Sequence, residues 1–191
     1  MIQDLLIEFL SLSDNMRFGY KSSLGTAYQE WKKIIAAITQ PVPEIFQEIY
    51  SRFAGTCKDV PNQKYIDFIP GYRLIHIREL EKEYYTLLHL IKADNIYPPQ
   101  INVIVPLLAD YSSCYVCYVK KWDDTEAIFA YSPGDGLVER HSSVEKFFET
   151  IISFYKEEVY FLDDTGFLDY DFEKEGLVGG KHNPDIAYWT N

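Results

Sequence analysis

Residues 101–131 read INVIVPLLADYSSCYVCYVKKWDDTEAIFAY, and they carry the clearest indication of the fold class. Three runs, Ile101–Leu108, Cys114–Val119 and Ala127–Tyr131, are rich in the β-branched and aromatic residues that favour strands. The segments between them are short, and short connections favour antiparallel pairing because a parallel pair needs a long crossover. A doubly wound parallel fold would instead alternate strands with helices. The region therefore predicts a mostly antiparallel sheet.

The segments on either side of this region show the periodicity of amphipathic helices. Before the sheet, apolar residues fall at helical spacing within Ile2–Phe9, Leu24–Ile38, Ile45–Phe53 and Ile77–Ile91. Pro43 suits the start of the third helix and Gly55 its end. After the sheet, Ser142 and Glu145 form a capping-box pattern for a helix over Val144–Tyr155. Helices packed on a mostly antiparallel sheet give an α+β fold.

Several shorter segments complete the predicted organisation. The segments with strand-like patterns are Tyr65–Pro70, Tyr72–Ile77, Leu137–Glu139 and Val159–Leu162. The tail after Leu162 mixes acidic residues, glycine and aromatics, and we expect a helix and an extended terminal segment there. A chain of 191 residues suits one domain. We predict a single domain over 1–191, with its core at about 25–162 and an acidic C-terminal extension over 163–191.

Charge is distributed unevenly between the two halves of the chain. Residues 1–100 carry 11 Lys and Arg against 12 Asp and Glu, whereas residues 101–191 carry 7 against 17. A strongly negative half repels nucleic acid and anionic lipid and attracts basic protein surfaces. The composition therefore predicts a basic protein as the partner, with neither nucleic acid nor membrane binding.

The expected location is the cytoplasm. No apolar run approaches the ~20 residues that a membrane span requires, and the N-terminus lacks the pattern of a secretory signal. The cysteines, Cys57, Cys114 and Cys117, are too few for a disulfide framework, which agrees with a reducing compartment.

Motifs for catalysis or metal binding give weak signals. Cys114 and Cys117 form a C-x-x-C pattern, but alternation along a strand would point them to opposite faces. The histidines show no metal-ligand spacing, and no serine lies in a G-x-S-x-G turn. The acidic residues of the tail do not follow the spacing of a calcium-binding loop. We therefore predict no metal, no cofactor and no catalytic residues.

A docking surface is the functional interpretation of the acidic tail, and a solvated acidic face is the alternative. Phe167, Tyr170 and Phe172 alternate with acidic residues, and aromatic anchors among steering charges are typical of protein interfaces. The predicted contact residues are Trp122, Asp123, Asp124, Asp163, Asp164, Tyr170 and Asp171.

Several of these stretches, in order along the chain, resemble the SMI1/KNR4 (SUKH) superfamily. Val42–Gly55 (VPEIFQEIYSRFAG) is similar to the early helix of that family, and Gly71–Leu80 (GYRLIHIREL) resembles its strand that runs into the next helix. Ile104–Asp110 (IVPLLAD) resembles the family's I-P-(L/F)-A-x-D strand. Ser142–Tyr155 resembles the closing helix, and Lys181–Trp189 a tail of some members.

This resemblance implies an SMI1/KNR4-like α+β fold and a role that needs no catalysis. Bacterial members act as immunity proteins that neutralise polymorphic toxins, often nucleases, so the expected partner is a basic toxin domain. Fungal relatives regulate cell-wall synthesis, which leaves a regulatory scaffold as one alternative. A hydrolase with an unrecognised carboxylate site is the other, and converging acids in a closed pocket would distinguish it.

Overall fold

A five-stranded antiparallel sheet is the centre of the protein, and its strands lie side by side in chain order. The computed structural model describes residues 1–57, 59–95 and 99–190. The strands are β1 (Arg73–Leu74), β2 (Ile101–Ala109), β3 (Tyr115–Lys121), β4 (Glu126–Ser132) and β5 (Gly136–His141). Short turns join β2 to β3, β3 to β4 and β4 to β5, whereas residues 75–100 separate β1 from β2 in the chain. The predicted α+β class with a mostly antiparallel sheet is confirmed.

Helices cover both faces of this sheet. The residues Tyr115–Val119 of the central strand β3 are all buried, and because successive side chains point to opposite faces, both faces must be covered. The helices are α1 (Ile2–Met16), α2 (Tyr20–Ser23), α3 (Trp31–Ile38), α4 (Glu44–Tyr50), α5 (Leu80–Ala93), α6 (Val144–Lys156), α7 (Phe172–His182) and α8 (Ala187–Thr190). Among the described residues, no helix has the length and apolar character needed to cross a bilayer.

Aromatic side chains join the N-terminal helix to the rest of the core. The ring of Phe9 in α1 lies 4.5 Å from that of Phe68 and 6.2 Å from that of Phe148 in α6, measured between centroids. Arg17 follows α1 and donates from Nη1 to the Asp67 carbonyl at 2.7 Å. Helix α1 therefore packs into the same core as the sheet. Buried core residues outside 25–162 also include Ile2, Leu6, Leu10, Leu168 and Val178.

The predicted strand over Tyr65–Pro70 is wrong. Residues Gln63–Tyr65 form a 3₁₀ turn. Asn62 precedes this turn, and its side chain accepts a hydrogen bond from the Lys64 N–H at 3.2 Å. Ile66 and Phe68 are both buried. Two buried side chains on an irregular segment, two residues apart, give the same alternating apolar pattern as a strand. The neighbouring strand predicted over Tyr72–Ile77 is reduced to β1.

Two helix starts also differ from the prediction. Leu24 lies outside a helix because its carbonyl accepts the N–H groups of Ala54 and Gly55, at 3.0 and 3.1 Å, and α3 begins only at Trp31. At α6 the N-cap is Ser143, one residue later than expected, and its hydroxyl accepts from the Lys146 N–H at 3.1 Å.

The C-terminal segment forms a hairpin followed by two helices. Strands β6 (Tyr160–Leu162) and β7 (Leu168–Tyr170) pair antiparallel as a separate two-stranded sheet. The Asp171 N–H donates to the Val159 carbonyl at 2.9 Å, which ties the end of the hairpin to its beginning. Helix α7 then packs against α6.

Candidate functional site

Exposed apolar side chains concentrate on the hairpin and the start of α7. Phe172 is 74% exposed and Leu177 is 70% exposed, although both are large apolar residues. We define the C-terminal surface by its exposed apolar residues, Phe161, Leu162, Phe167, Tyr170, Phe172 and Leu177, and its acidic residues, Asp163, Asp164, Asp169, Asp171 and Glu173. Six exposed apolar residues within residues 161–177 are a concentration rather than scattered surface residues, and such a concentration is typical of an interaction site.

Two of the predicted contact residues on this surface also shape its backbone. One carboxylate oxygen of Asp163 accepts from the Thr165 N–H and hydroxyl and from the Phe167 N–H, at 2.7–2.9 Å. These hydrogen bonds lower the pKa of Asp163 below its ordinary value. Asp171 is the N-cap of α7 and accepts from the Lys174 N–H at 3.0 Å. Both carboxylates therefore hold the surface in shape as well as charging it.

Trp122, Asp123 and Asp124 lie elsewhere, in the turn between β3 and β4. Trp122 is 67% exposed, and the Asp123 carboxylate accepts from the Thr125 N–H and hydroxyl, which lowers its pKa. Asp124 adopts a φ of 66° and forms an ion pair with Lys120 at 2.9 Å. Within the described parts of the chain, no hydrogen bond or ion pair joins this turn to the C-terminal surface. The predicted residues thus fall into two groups.

A cavity of about 180 Å³ lies next to the C-terminal surface, with Tyr170 in its wall. Its lining comes from the sheet, α6, the hairpin, α7 and α8. No motif along the chain connects the other polar groups of this lining, which are Tyr72, Arg140, His141, Tyr160, Glu175, Tyr188 and Trp189. The one available signal was an Arg–His pair at the end of a strand, followed far along the chain by a tail rich in aromatics.

Arg140 is the positively charged residue in the described lining of this cavity. Its Cζ lies 3.1 Å from the centroid of the Tyr188 ring, a cation–π contact. Its Nε is buried and makes no hydrogen bond, and no described carboxylate forms an ion pair with it. Burial lowers the pKa of Arg140. Burial also raises the pKa of Glu175, which lines the same cavity and interacts with the Arg140 charge only at longer range.

His141 is held neutral beside this cation. Its Nδ1 lies 3.1 Å from Oδ1 of Asn183, whose amide nitrogen donates to the Gly179 carbonyl and the Thr150 hydroxyl, each at 3.0 Å. Because that amide oxygen accepts, we assign the proton of the neutral imidazole to Nδ1. Burial lowers the pKa of His141 to about 3, and the charges of Arg140 and His182 act in the same direction.

Lowering the pH from 7 to 5 is expected to cost about 2 kcal/mol of unfolding free energy through His141. The pKa of His141 is about 3 in the folded protein, below the ordinary 6.5 of the unfolded chain. Between these two values the unfolded chain binds a proton at His141 and the folded protein does not. Stability is therefore complete above pH 6.5 and falls as the pH drops toward 3. Urea unfolding at pH 7, 6 and 5 measures the loss. His141→Gln should flatten the dependence, whereas the exposed control His89→Gln should keep it; equal slopes for both variants would refute the prediction.

Trp189 forms one wall of the cavity and is positioned from two sides. Its indole Nε1 donates to the Arg140 carbonyl at 2.6 Å, and its ring lies against Gly179 of α7. A Cβ at Gly179 would overlap the ring, whereas a Cβ at Gly176, one turn earlier, would meet no atom within 4 Å. The absence of a side chain at Gly179 therefore allows Trp189 to close this side of the cavity.

Gly179→Ala is expected to lower the free energy of unfolding by about 1–3 kcal/mol, because the ring of Trp189 must move aside. Gly176→Ala is the matched control and should instead stabilise α7 by about 0.5–1 kcal/mol, since alanine favours a helix more than glycine does. Chemical denaturation measures both changes, and a red shift of tryptophan emission should accompany only the first. Stabilisation by both substitutions would contradict this packing.

The chemistry of the cavity suits binding. Its described lining contains one carboxylate, Glu175, so the paired carboxylates of a glycosidase do not meet there, and it contains no Ser, Thr or Cys. The Nδ1 atom of the neutral His141 is already hydrogen-bonded to the side chain of Asn183. The fold and the site thus define an α+β protein with an acidic, apolar C-terminal surface and an aromatic cavity beside it. Neither a protein family model nor a curated protein sequence matches this chain.

Proposed function

We propose that this protein is a binding module without catalytic activity, whose C-terminal surface docks a basic protein. The observation that carries the proposal is the exposure of Phe161, Phe167 and Phe172 among acidic residues on one short segment. Large apolar side chains supply binding energy when a partner buries them, and the surrounding charges favour a partner of opposite sign.

Binding would proceed in two stages. The acidic half of the chain, with 17 Asp and Glu against 7 Lys and Arg over residues 101–191, attracts the basic partner and orients it. Burial of the aromatic side chains then slows dissociation. Asp163 and Asp171 hold the hairpin turn and the start of α7 in place, so little conformational entropy is lost when the partner binds. Trp122, Asp123 and Asp124 would form a second contact on a large partner.

In its most specific form the proposal names a basic toxin domain, such as a nuclease, as the partner and immunity as the role. The resemblance of the sequence to the SMI1/KNR4 superfamily supports this form. A cytoplasmic location belongs to the same proposal and agrees with three free cysteines, Cys57, Cys114 and Cys117.

The first test measures binding to the protein encoded by the neighbouring reading frame. Phe172→Ala should weaken the complex by about tenfold or more, as expected for a central aromatic anchor. Tyr85→Ala is the matched control, because Tyr85 is 60% exposed on α5, a helix that packs against α3 and β2. Co-expression should also relieve any toxicity of the neighbour. An intact complex in Phe172→Ala, or equal losses in both variants, would argue against this surface.

The second test separates steering from anchoring. The association rate should fall steeply between low and physiological ionic strength, while the dissociation rate changes little. Asp164→Asn, at an exposed position, should slow association without disturbing the hairpin, whereas Phe172→Ala should act on dissociation. An association rate that does not respond to salt would rule out a steered encounter.

A further inference from the structure

We propose that the cavity beside the C-terminal surface binds a small monoanionic carboxylate with a planar apolar body, whose carboxylate group pairs with Arg140. This inference goes beyond the proposed docking function, because it concerns a small molecule and a different set of side chains.

The cation of Arg140 is the first argument. Arg140 is half-buried, and a guanidinium that has lost part of its hydration gains from a carboxylate partner, but among the described residues none lies within ion-pair distance of it. Its Nε is buried with no hydrogen-bond partner. Tyr188 covers a face of the guanidinium, and a covered face leaves the in-plane N–H groups available for the two oxygens of a carboxylate.

The size and the walls of the cavity specify the rest of the ligand. A cavity of about 150 Å³ can hold benzene, so about 180 Å³ accommodates a ring of that size with a small substituent. Phe147, Phe154, Tyr160 and Trp189 line the space, and they suit a flat apolar body.

Glu175 and the apolar walls together restrict the kind of anion that the cavity can bind. Glu175 lines the cavity together with Arg140, so one carboxylate already offsets part of the cationic field. Doubling the charge of a ligand doubles its attraction to Arg140 and its repulsion from Glu175 alike, so the walls decide: burying a phosphate against aromatic rings costs hydration that no apolar contact offsets. The site therefore favours a carboxylate over a phosphate.

The experiment titrates benzoate, benzamide and inorganic phosphate separately into the ¹⁵N-labelled protein. The resonance of the Trp189 indole N–H, which donates to the Arg140 carbonyl, reports occupation of the cavity. Benzoate should bind about tenfold or more tightly than its neutral analogue benzamide, as a charge-assisted pair with Arg140 requires. Phosphate should leave the Trp189 resonance unchanged. Equal affinities for benzoate and benzamide, or phosphate binding as strong as benzoate, would overturn the proposal.

Arg140→Gln should remove the preference for benzoate over benzamide. Arg78→Gln is the matched control, because Arg78 also lies over a tyrosine ring, that of Tyr28 at 4.6 Å, but on the open surface. If Arg140→Gln fails to fold, Arg140→Lys keeps the charge without the planar guanidinium and should bind benzoate about tenfold more weakly than the native chain. Native-like benzoate binding by either Arg140 variant would overturn the assignment.

Discussion

Arg73→Ala is expected to lower the free energy of unfolding by about 3–5 kcal/mol, the largest single effect that we foresee in this protein. The Arg73 side chain is fully buried and forms ion pairs with Glu83 at 3.2 Å and with Glu79 at 2.7 Å. It also donates to the Thr56 carbonyl at 2.9 Å, and Tyr115 of β3 donates to the other carboxylate oxygen of Glu83 at 2.8 Å. Removing the cation would take the Arg73 charge away from the nearly buried Glu83 and would remove the donor to the Thr56 carbonyl.

The control for this experiment is a partly exposed arginine in a simple ion pair. Arg52 pairs with Glu48 one turn away on a partly exposed surface, and such pairs contribute about 0.5 kcal/mol or less. Urea unfolding of Arg73→Ala and Arg52→Ala should therefore give losses that differ several-fold. A loss below about 1 kcal/mol for Arg73→Ala would mean that the pair does not join β1, α5 and β3 as described.

Gly55→Ala is expected to cost about 2–4 kcal/mol, for two separable reasons. Gly55 has a φ of 91°, a conformation that is unfavourable for any residue with a Cβ. A Cβ there would also overlap the Ile75 carbonyl and approach the Cα of His76 to 2.9 Å, so the clash is with backbone that cannot rotate away. This close approach lets Leu24 and Leu74 accept N–H groups from residues 54–56.

A second glycine isolates the steric part of that cost. Gly71 has a φ of 78°, but a Cβ there would meet no atom within 4 Å. Gly71→Ala should therefore lose only the conformational term of about 1 kcal/mol, and the remainder measured for Gly55→Ala is the backbone overlap. Denaturant titrations of the two variants give both values. Equal losses would contradict the close packing at Gly55.

The sheet could be predicted from the sequence because its signals are local. Strands β2, β3 and β4 appear as apolar runs separated by short polar turns, and α5 and α6 appear as apolar stripes of helical period. The structure of Tyr65–Pro70 could not be predicted in this way, because its alternating pattern arises from two side chains that enter the core from an irregular loop. Likewise, Ser142 and Ser143 are both possible N-caps of α6 in the sequence, and only the folded backbone shows that Ser143 is the N-cap.

The two candidate sites differ in the same way. Asp163, Asp164, Tyr170 and Asp171 are neighbours in the chain, so residue order alone was enough to group them on one acidic, aromatic segment. The cavity instead joins Arg140 from β5, Glu175 from α7 and Trp189 from α8. No pattern along the chain marks groups that are so far apart in sequence. Local periodicity and charge specify elements and surface character, whereas a cavity exists only where packing brings distant side chains together, so tertiary structure alone could reveal it.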